Sequence, residues 1–438
     1  MTPGLVIAAT SSGSGKTTIT LGLLRALARR GVAVAGAKVG PDFIDPCFHQ
    51  AASFRPAYNL DAWAMRPGTL MEIAEQAGLD ASLVVAEGVM GLFDGIGAAG
   101  LGSTADLAAA LGWPVILVLD ARGAAASLGA TLRGFAYHRP DLRIAGIIAN
   151  RVGSTSHAAT VEQACQAACP EIRWLGAIPR NATLSLPERH LGLVQAREYA
   201  DLEGRIERCA ELVDAHIDLE LLQALGDSGP IKMAPTNPPL PPLGQRIALA
   251  SDDAFSFVYP ALLRSWRRQG AEILPFSPLA DQGPGPDADA VYLPGGYPEL
   301  HAGRLAQNQG FRAAMHDAAG RGAVIYGECG GYMTLGRTLT DAAGTTHAML
   351  GLLPLDTSFA DRKLHLGYRR AVTRSDSALG GAGTCLRGHE FHYASIIDEA
   401  AGMSLFDSFD GQSTALGPVG LIQASVSGSF LHLIDLEP

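Results

Sequence analysis

Five short stretches of this 438-residue chain combine residue types that handle phosphate, metal or acyl chemistry. The first is Thr10-Ser-Ser-Gly-Ser-Gly-Lys-Thr17, which fits the phosphate-loop pattern GxxxxGK[ST] except that threonine stands at its first glycine. Such a loop wraps backbone N–H groups, here those of Gly13, Ser14 and Gly15, around phosphates at a helix N-terminus. Lys16 would reach the β- and γ-phosphates, and Thr17, with Thr18 beside it, would bring a hydroxyl to Mg²⁺. A glycine-rich turn with a chance lysine is the plainer reading. Against it, an apolar run precedes the loop, a helical pattern follows it, and the chain has only four lysines (Lys16, Lys38, Lys232 and Lys363).

Lys38-Val-Gly-Pro-Asp-Phe-Ile-Asp45 places a second lysine at the end of an apolar run, where it would neutralise a transferring phosphoryl group. Asp42 and Asp45 would hold Mg²⁺ or position substrate, although a loop aspartate alone is as often a turn residue. Glu87-Gly-Val-Met-Gly-Leu-Phe-Asp94 follows the run at 83–86. Glu87, at a strand end near a phosphate loop, is the better metal ligand and Asp94 the weaker. Asn150 ends a further run and would read a purine edge. A guanine-reading loop needs aspartate where Gly153 stands, so the pattern favours ATP over GTP.

Gly327-Glu-Cys-Gly-Gly331 belongs to a different chemistry. Small residues flank Cys329 between an apolar run and a helical pattern, as in a nucleophile elbow. A helix N-terminus would favour its thiolate. Backbone N–H groups of Gly330, and of Gly295 and Gly296 in Pro294-Gly-Gly-Tyr297, would form an oxyanion hole. Inert packing is the usual fate of a lone cysteine, but the elbow and the second glycine turn reverse that preference. His432, near the C-terminus, would be the base. His389 and His392 in Arg387-Gly-His-Glu-Phe-His-Tyr393 compete with it, and their HxxH spacing alone is weak evidence for a metal.

The elements that must carry these groups are strands and helices in alternation. Buried-strand runs at 5–9, 32–38, 83–86, 114–120 and 144–149, with helical segments such as 16–30 between them, imply a parallel sheet covered on both faces. Ligands bind at the strand ends of such sheets. Residues 228–244 are dense in proline, which breaks helices and ladders, and read as a linker over 229–244. Runs at 246–250, 290–293 and 323–326 then start a second series. The expected fold class is α/β in two domains, 1–228 a doubly wound parallel sheet with a phosphate loop and 245–438 a second α/β domain.

Composition excludes other classes. Hydrophobic residues make up 47% and charged residues 17%, so a sizeable core can form and disorder is excluded. A formal charge of −10 argues against nucleic acid, which needs a basic face. No apolar stretch approaches the roughly 18 residues of a membrane span. Six cysteines without a CxxC pair suggest neither a zinc ribbon nor a disulfide framework and fit a reducing cytoplasm.

Taken together the motifs resemble the cobyrinic/hydrogenobyrinic acid a,c-diamide synthases of corrin biosynthesis. The resemblance rests on the stretches above and on Leu186-Pro-Glu-Arg-His-Leu-Gly192, Tyr326–Met333 and the terminal His432. It implies a dethiobiotin-synthetase-like ATP domain fused to a class I glutamine amidotransferase domain. The substrates would be a corrin, glutamine and ATP with Mg²⁺, the a and c carboxylates being amidated through acyl phosphates. Matching positions give Lys16 and Thr17 to phosphate and metal, Asp45 and Glu87 to metal or catalysis, and Asp42 and Asp94 to substrate or intermediate. Cys329 matches the nucleophile and His432 its base. Ordinary class I amidotransferases place a glutamate two residues after the histidine. Here Ile434 stands there, as in the cobyrinic branch, which implies a weaker dyad with nothing evident to orient the imidazole. Cobyric acid synthase and CTP synthase keep the fold with another acceptor, and a partition-type ATPase switch is the alternative outside enzymes of this kind. Such switches carry an early lysine where Ser11 stands and have no need of Cys329. A late-cobalt route, hence a cobalt-free ring, is slightly preferred, and a homodimer is the expected assembly.

Overall fold

The structure, a computed structural model, describes residues 2–181, 188–189, 192–193, 195–226, 240–400 and 404–437. The side chains of the Leu186–Gly192 stretch and the expected linker up to residue 239 lie outside them. The chain divides into two compact units, Met1–Asn237 and Pro238–Pro438.

The first unit is built on seven parallel strands: β1 Gly4–Ala9, β2 Val34–Val39, β3 Tyr58–Leu60, β4 Leu83–Glu87, β5 Val115–Asp120, β6 Ile144–Val152 and β7 Arg173–Pro179. They lie in the order β3-β2-β4-β1-β5-β6-β7. Uninterrupted apolar runs form such strands because helices bury both faces. α1 (Lys16–Arg29) packs against α3 (Leu202–His216), where a Cβ on Gly22 would meet the Cys209 carbonyl at 2.5 Å. The buried Arg25 is paired there with Glu203 and Glu207. From the central β1 the chain passes to β2 on one side and, after β4, to β5 on the other. The loops following β1, β2 and β4 therefore open at the switch point, where such sheets bind ligands.

The second unit holds a ten-stranded mixed sheet. Its parallel part is β9-β8-β10-β11-β20, from β8 Arg246–Ala250, β9 Glu272–Phe276, β10 Ala290–Leu293, β11 Val324–Glu328 and β20 Val426–Ser429. Beyond β20 the sheet turns antiparallel through β19 (Ala415–Gln423), β18 (Ser404–Asp410), β15 (His365–Thr373), β16 (Cys385–His392) and β21 (Leu431–Leu436). β12 (Thr338–Thr340), β13 (Thr346–Ala348), β14 (Leu355–Ser358) and β17 (Ser395–Glu399) make a separate small sheet. Only Phe430 separates β20, which pairs with β11, from β21, which pairs with β16. The sheet therefore curls, and the Leu433 N–H returns to within 3.2 Å of Glu328 Oε1 on β11. Inside the curl lie Tyr292, Tyr326, Leu386, Leu405, Leu431 and Leu433.

The expected runs are all strands, with ends shifted by no more than three residues. Two features differ from expectation. The antiparallel strands of the second unit replace a continued α/β alternation. The last residues assigned to the linker are part of the second unit, because Leu240 and Leu243 are buried in its core beside Trp266.

Candidate active sites

The loop after β1 is shaped by its glycines and by β6. Gly13 and Gly15 have φ of +73° and +90°, a region that favours glycine. A Cβ on Gly15 would also stand 2.3 Å from Asn150 Nδ2. Asn150 Nδ2 donates to the Ser14 carbonyl at 2.8 Å, and its Oδ1 accepts from Arg151 N–H at 2.9 Å. Asn150 thus braces the phosphate loop. Lys16, the first residue of α1, arches back to donate to the carbonyls of Met90 (2.5 Å) and Ser11 (3.3 Å). Burial lowers its pKa against the pull of Glu87.

Glu87 ends β4 and pairs in register with Lys38 of β2. Its Oε1 accepts from Thr17 Oγ1 at 2.5 Å and from Lys38 Nζ at 3.0 Å, and its Oε2 bonds His49 Nε2 at 2.7 Å. Lys38 is also paired with Asp45, the first residue of α2 (Asp45–Ser53). Glu87, Lys38, His49 and Asp45 are buried, and Thr17 is half-buried. Burial opposes the charge on Glu87, but Lys38 and then His49 outweigh it and hold its pKa well below the carboxylate range. Burial likewise opposes the Lys38 ammonium, yet Asp45 and Glu87 keep it firmly charged. Asp45 is pushed up to about 7, by burial first and Asp42 second, in spite of Lys38. Thr17, Asp45 and Glu87 offer only oxygen, and that donor set fits a hard divalent cation such as Mg²⁺.

Asp42 and Asp94 each spend an oxygen on local structure. Asp42 Oδ1 accepts from the N–H groups of Ile44 and Asp45 at 2.7 and 2.9 Å, fixing the start of α2, and Asp94 Oδ2 accepts from Gly91 N–H at 2.8 Å. His49 is a site residue the sequence reading missed. Its signal was present, since it follows Asp45 by four residues and helical neighbours at that spacing share a face.

In the second unit Cys329 sits between β11 and α4 (Gly330–Leu335) with φ +46° and ψ −101°. Such a conformation costs a non-glycine residue about 1–3 kcal/mol. It is pinned by the Cys329 N–H, which donates to Ser429 O at 2.8 Å. A Cβ on Gly331 would fall 1.9 Å from Leu293 O, so the turn needs its small neighbours. A Cβ on Gly330 would stand 3.1 Å from Gly296 N, which brings the backbones of the two expected oxyanion loops together. The second loop is held by Ser256 and Phe257, whose N–H groups both donate to Gly295 O at 2.9 Å. Burial, and then the charge of Glu299, push the Cys329 thiol up. This direction runs against the expectation of a ready thiolate.

His432 lies on β21 against the same loop, because a Cβ on Gly295 would meet its Cε1 at 2.4 Å. Its cross-strand neighbour is His389 of β16, and the two rings stack at 4.9 Å and 21°. Burial, then the charge of His432, hold the His389 pKa well below 6.5. His389 is therefore a neutral wall beside His432. Glu328, immediately before Cys329, brings Oε2 to 3.6 Å from His432 Nδ1. The imidazole is thus not without a carboxylate near it, contrary to the expectation drawn from Ile434.

The HxxH pair separates because residues three apart on a strand face opposite sides. His392 bonds Glu390 Oε1 through Nε2 at 2.9 Å and the Ala394 carbonyl through Nδ1 at 3.0 Å. Glu390 also accepts from Arg369 Nε at 2.8 Å. His365, Glu390 and His392 are close enough together to suggest a metal site. The two imidazoles, however, are stacked at 4.7 Å and 5°, so their in-plane lone pairs run parallel and do not converge on one ion.

Comparison with known proteins agrees with this division. Residues 5–194 match the CobQ/CobB/MinD/ParA nucleotide binding domain, and residues 246–437 match the CobB/CobQ-like glutamine amidotransferase domain. The chain is 54% identical over 438 residues to a hydrogenobyrinate a,c-diamide synthase of Brucella suis biovar 1 (strain 1330), covering 99% of both chains. Proteins of the same name from Rhizobium meliloti (strain 1021) and Rhodobacter capsulatus are 53% and 51% identical, with 99% and 98% of each chain covered.

Proposed function

The chain belongs to the hydrogenobyrinate a,c-diamide synthase family, and from that premise we propose how its two units divide the reaction. The enzyme uses ATP and glutamine to amidate the a and c carboxylates of a corrin ring in vitamin B12 biosynthesis, with cobalt-free hydrogenobyrinate as the ring. A carboxylate is a poor electrophile, so ATP first converts it to an acyl phosphate, releasing ADP. Lys16, freed from the carbonyls of Ser11 and Met90, turns to the phosphates, and Lys38 offsets charge on the transferring group. Thr17, Asp45 and Glu87 would hold Mg²⁺, which would supply positive charge to offset that of the phosphoryl oxygens. Asp42 and Asp94 face substrate or intermediate with the oxygens their turns leave over. Ammonia then displaces phosphate to give the amide.

The ammonia comes from the second unit. Cys329 gives its proton to His432, and the sulfur attacks the glutamine side-chain carbonyl, whose oxyanion is held by the N–H groups of Gly295, Gly296 and Gly330. His432 returns the proton to the nitrogen, ammonia leaves, and water resolves the γ-glutamyl thioester. ATP and glutamine are cytoplasmic metabolites, so the enzyme works there, and we expect a homodimer.

The observation that carries this reading is the strained backbone of Cys329, which an inert core cysteine has no reason to adopt. Cys329→Ser should abolish amidation from glutamine and leave amidation from high ammonium salt largely intact. A Cys329→Ser enzyme that releases glutamate at the normal rate overturns it.

A further inference from the structure

Glu328 is buried at the end of β11, directly before the nucleophile. A buried carboxylate is costly unless its lone pairs are matched. Here Oε2 accepts from the Tyr292 hydroxyl at 2.8 Å and Oε1 from the Leu433 N–H at 3.2 Å. One donor comes from the adjacent strand β10 and the other from β21, which the curl brings to the end of β11, so the carboxylate is fixed from two sides. The ring nitrogen facing it is Nδ1 of His432, at 3.6 Å. That is ion-pair reach and longer than a hydrogen bond, and contacts of this kind tighten when substrate is bound.

We propose that Glu328 is a positioning residue that supplies the acid absent at Ile434: it orients the His432 imidazole through Nδ1 and stabilises the imidazolium formed during ammonia release. This rests on Cys329 and His432 being nucleophile and base. With the Nδ1 proton directed to Glu328, Nε2 is the nitrogen that carries the basic lone pair. It takes the Sγ proton as the S–C bond forms, then passes it to the departing nitrogen as the C–N bond breaks. No proton passes to Glu328 in these steps, and its part is electrostatic. The clamp is completed by Gly295, whose missing Cβ leaves room for the ring, and by the stacked His389.

The test is a double-mutant cycle in the full-length enzyme. Glu328→Gln keeps the shape and the Tyr292 contact and removes the charge. It should lower kcat for glutamate release roughly 10²- to 10⁴-fold, with KM for glutamine, melting temperature and ammonium-driven amidation near their normal values. In a His432→Ala background the same change should have almost no further effect, because Glu328 acts through the imidazole. Tyr292→Phe, which loosens the carboxylate but keeps its charge, should give a smaller loss of the same kind and serves if Glu328→Gln folds poorly. The proposal is overturned if Glu328→Gln releases glutamate at the normal rate, or if it loses equal activity with and without His432. If His432→Ala itself is fully active, the underlying assignment of the base has failed instead.

Discussion

Gly295→Ala is a single-carbon perturbation whose effect can be worked from distances. The new Cβ would lie 2.4 Å from His432 Cε1 and 3.3 Å from both His432 Nε2 and Phe257 Cβ, where ordinary contact begins at 3.4 Å. Something must move by about 1 Å, a displacement of the size that costs roughly 10²-fold in rate at a catalytic group. The loop resists, since two N–H donors hold the Gly295 carbonyl. The ring resists as well, being 1% exposed and stacked on His389. Gly295 is not among the residues with positive φ, so alanine imposes no backbone penalty, and it keeps the N–H that an oxyanion hole would use. The expected result is about a 10²-fold fall in glutamate release, with overpacking costing about 1–3 kcal/mol of stability and ammonium-driven amidation unchanged. Normal glutamate release with an unaltered melting temperature would refute the placement of His432 against this loop.

The remaining predictions concern buried charge. His49→Ala should raise the Mg²⁺ needed for half-maximal ammonium-driven amidation by about 10- to 100-fold, the usual effect of losing a residue that orients a ligand, while His49→Gln, which keeps a donor for Glu87, should recover most of it. An equal effect of both variants, or an unchanged Mg²⁺ requirement, would remove His49 from this role. Burial opposes the charge of Glu390, but His392 and Arg369 hold its pKa at about 2. Its stabilisation is therefore present above the unfolded pKa, about 4.3, and fades as pH falls through about 2. Glu390→Gln should destabilise by up to about 3 kcal/mol at pH 7 and much less at pH 3, as read by denaturant unfolding. A pH-independent loss would contradict the ion-pair account.

Much of the first unit was legible because its chemistry is local. The phosphate loop, Lys38 and Glu87 each sit at the end of an apolar run, and parallel strands put those ends together. What was hidden there is how polar side chains are spent. Nothing in the sequence says that Asn150 gives its amide to the Ser14 carbonyl. Asp42 and Asp94 show the same limit, because a turn residue and a ligand have the same residue type until the partners are known. The antiparallel strands of the second unit were harder to read. Their alternation is weak, and β15 and β19 present partly exposed residues on both faces, leaving no clear period of two.

The absence of an acid two residues after His432 showed why spacing alone misleads at such a site. On a strand, residues two apart face the same side, so a glutamate at 434 would approach the imidazole along β21 itself. What the chemistry needs, however, is a carboxylate near Nδ1, whichever strand provides it. The curl of the sheet brings β21 back over the end of β11, and the position reached is the one before the nucleophile. Cys329 and Glu328 are successive residues at the end of β11 and so point to opposite sides, the sulfur into one core cluster and the carboxylate toward Tyr292 and Leu433. One strand end can therefore hold both the nucleophile and the group that orients its base. That arrangement depends on a contact between residues 104 positions apart, which no local pattern records.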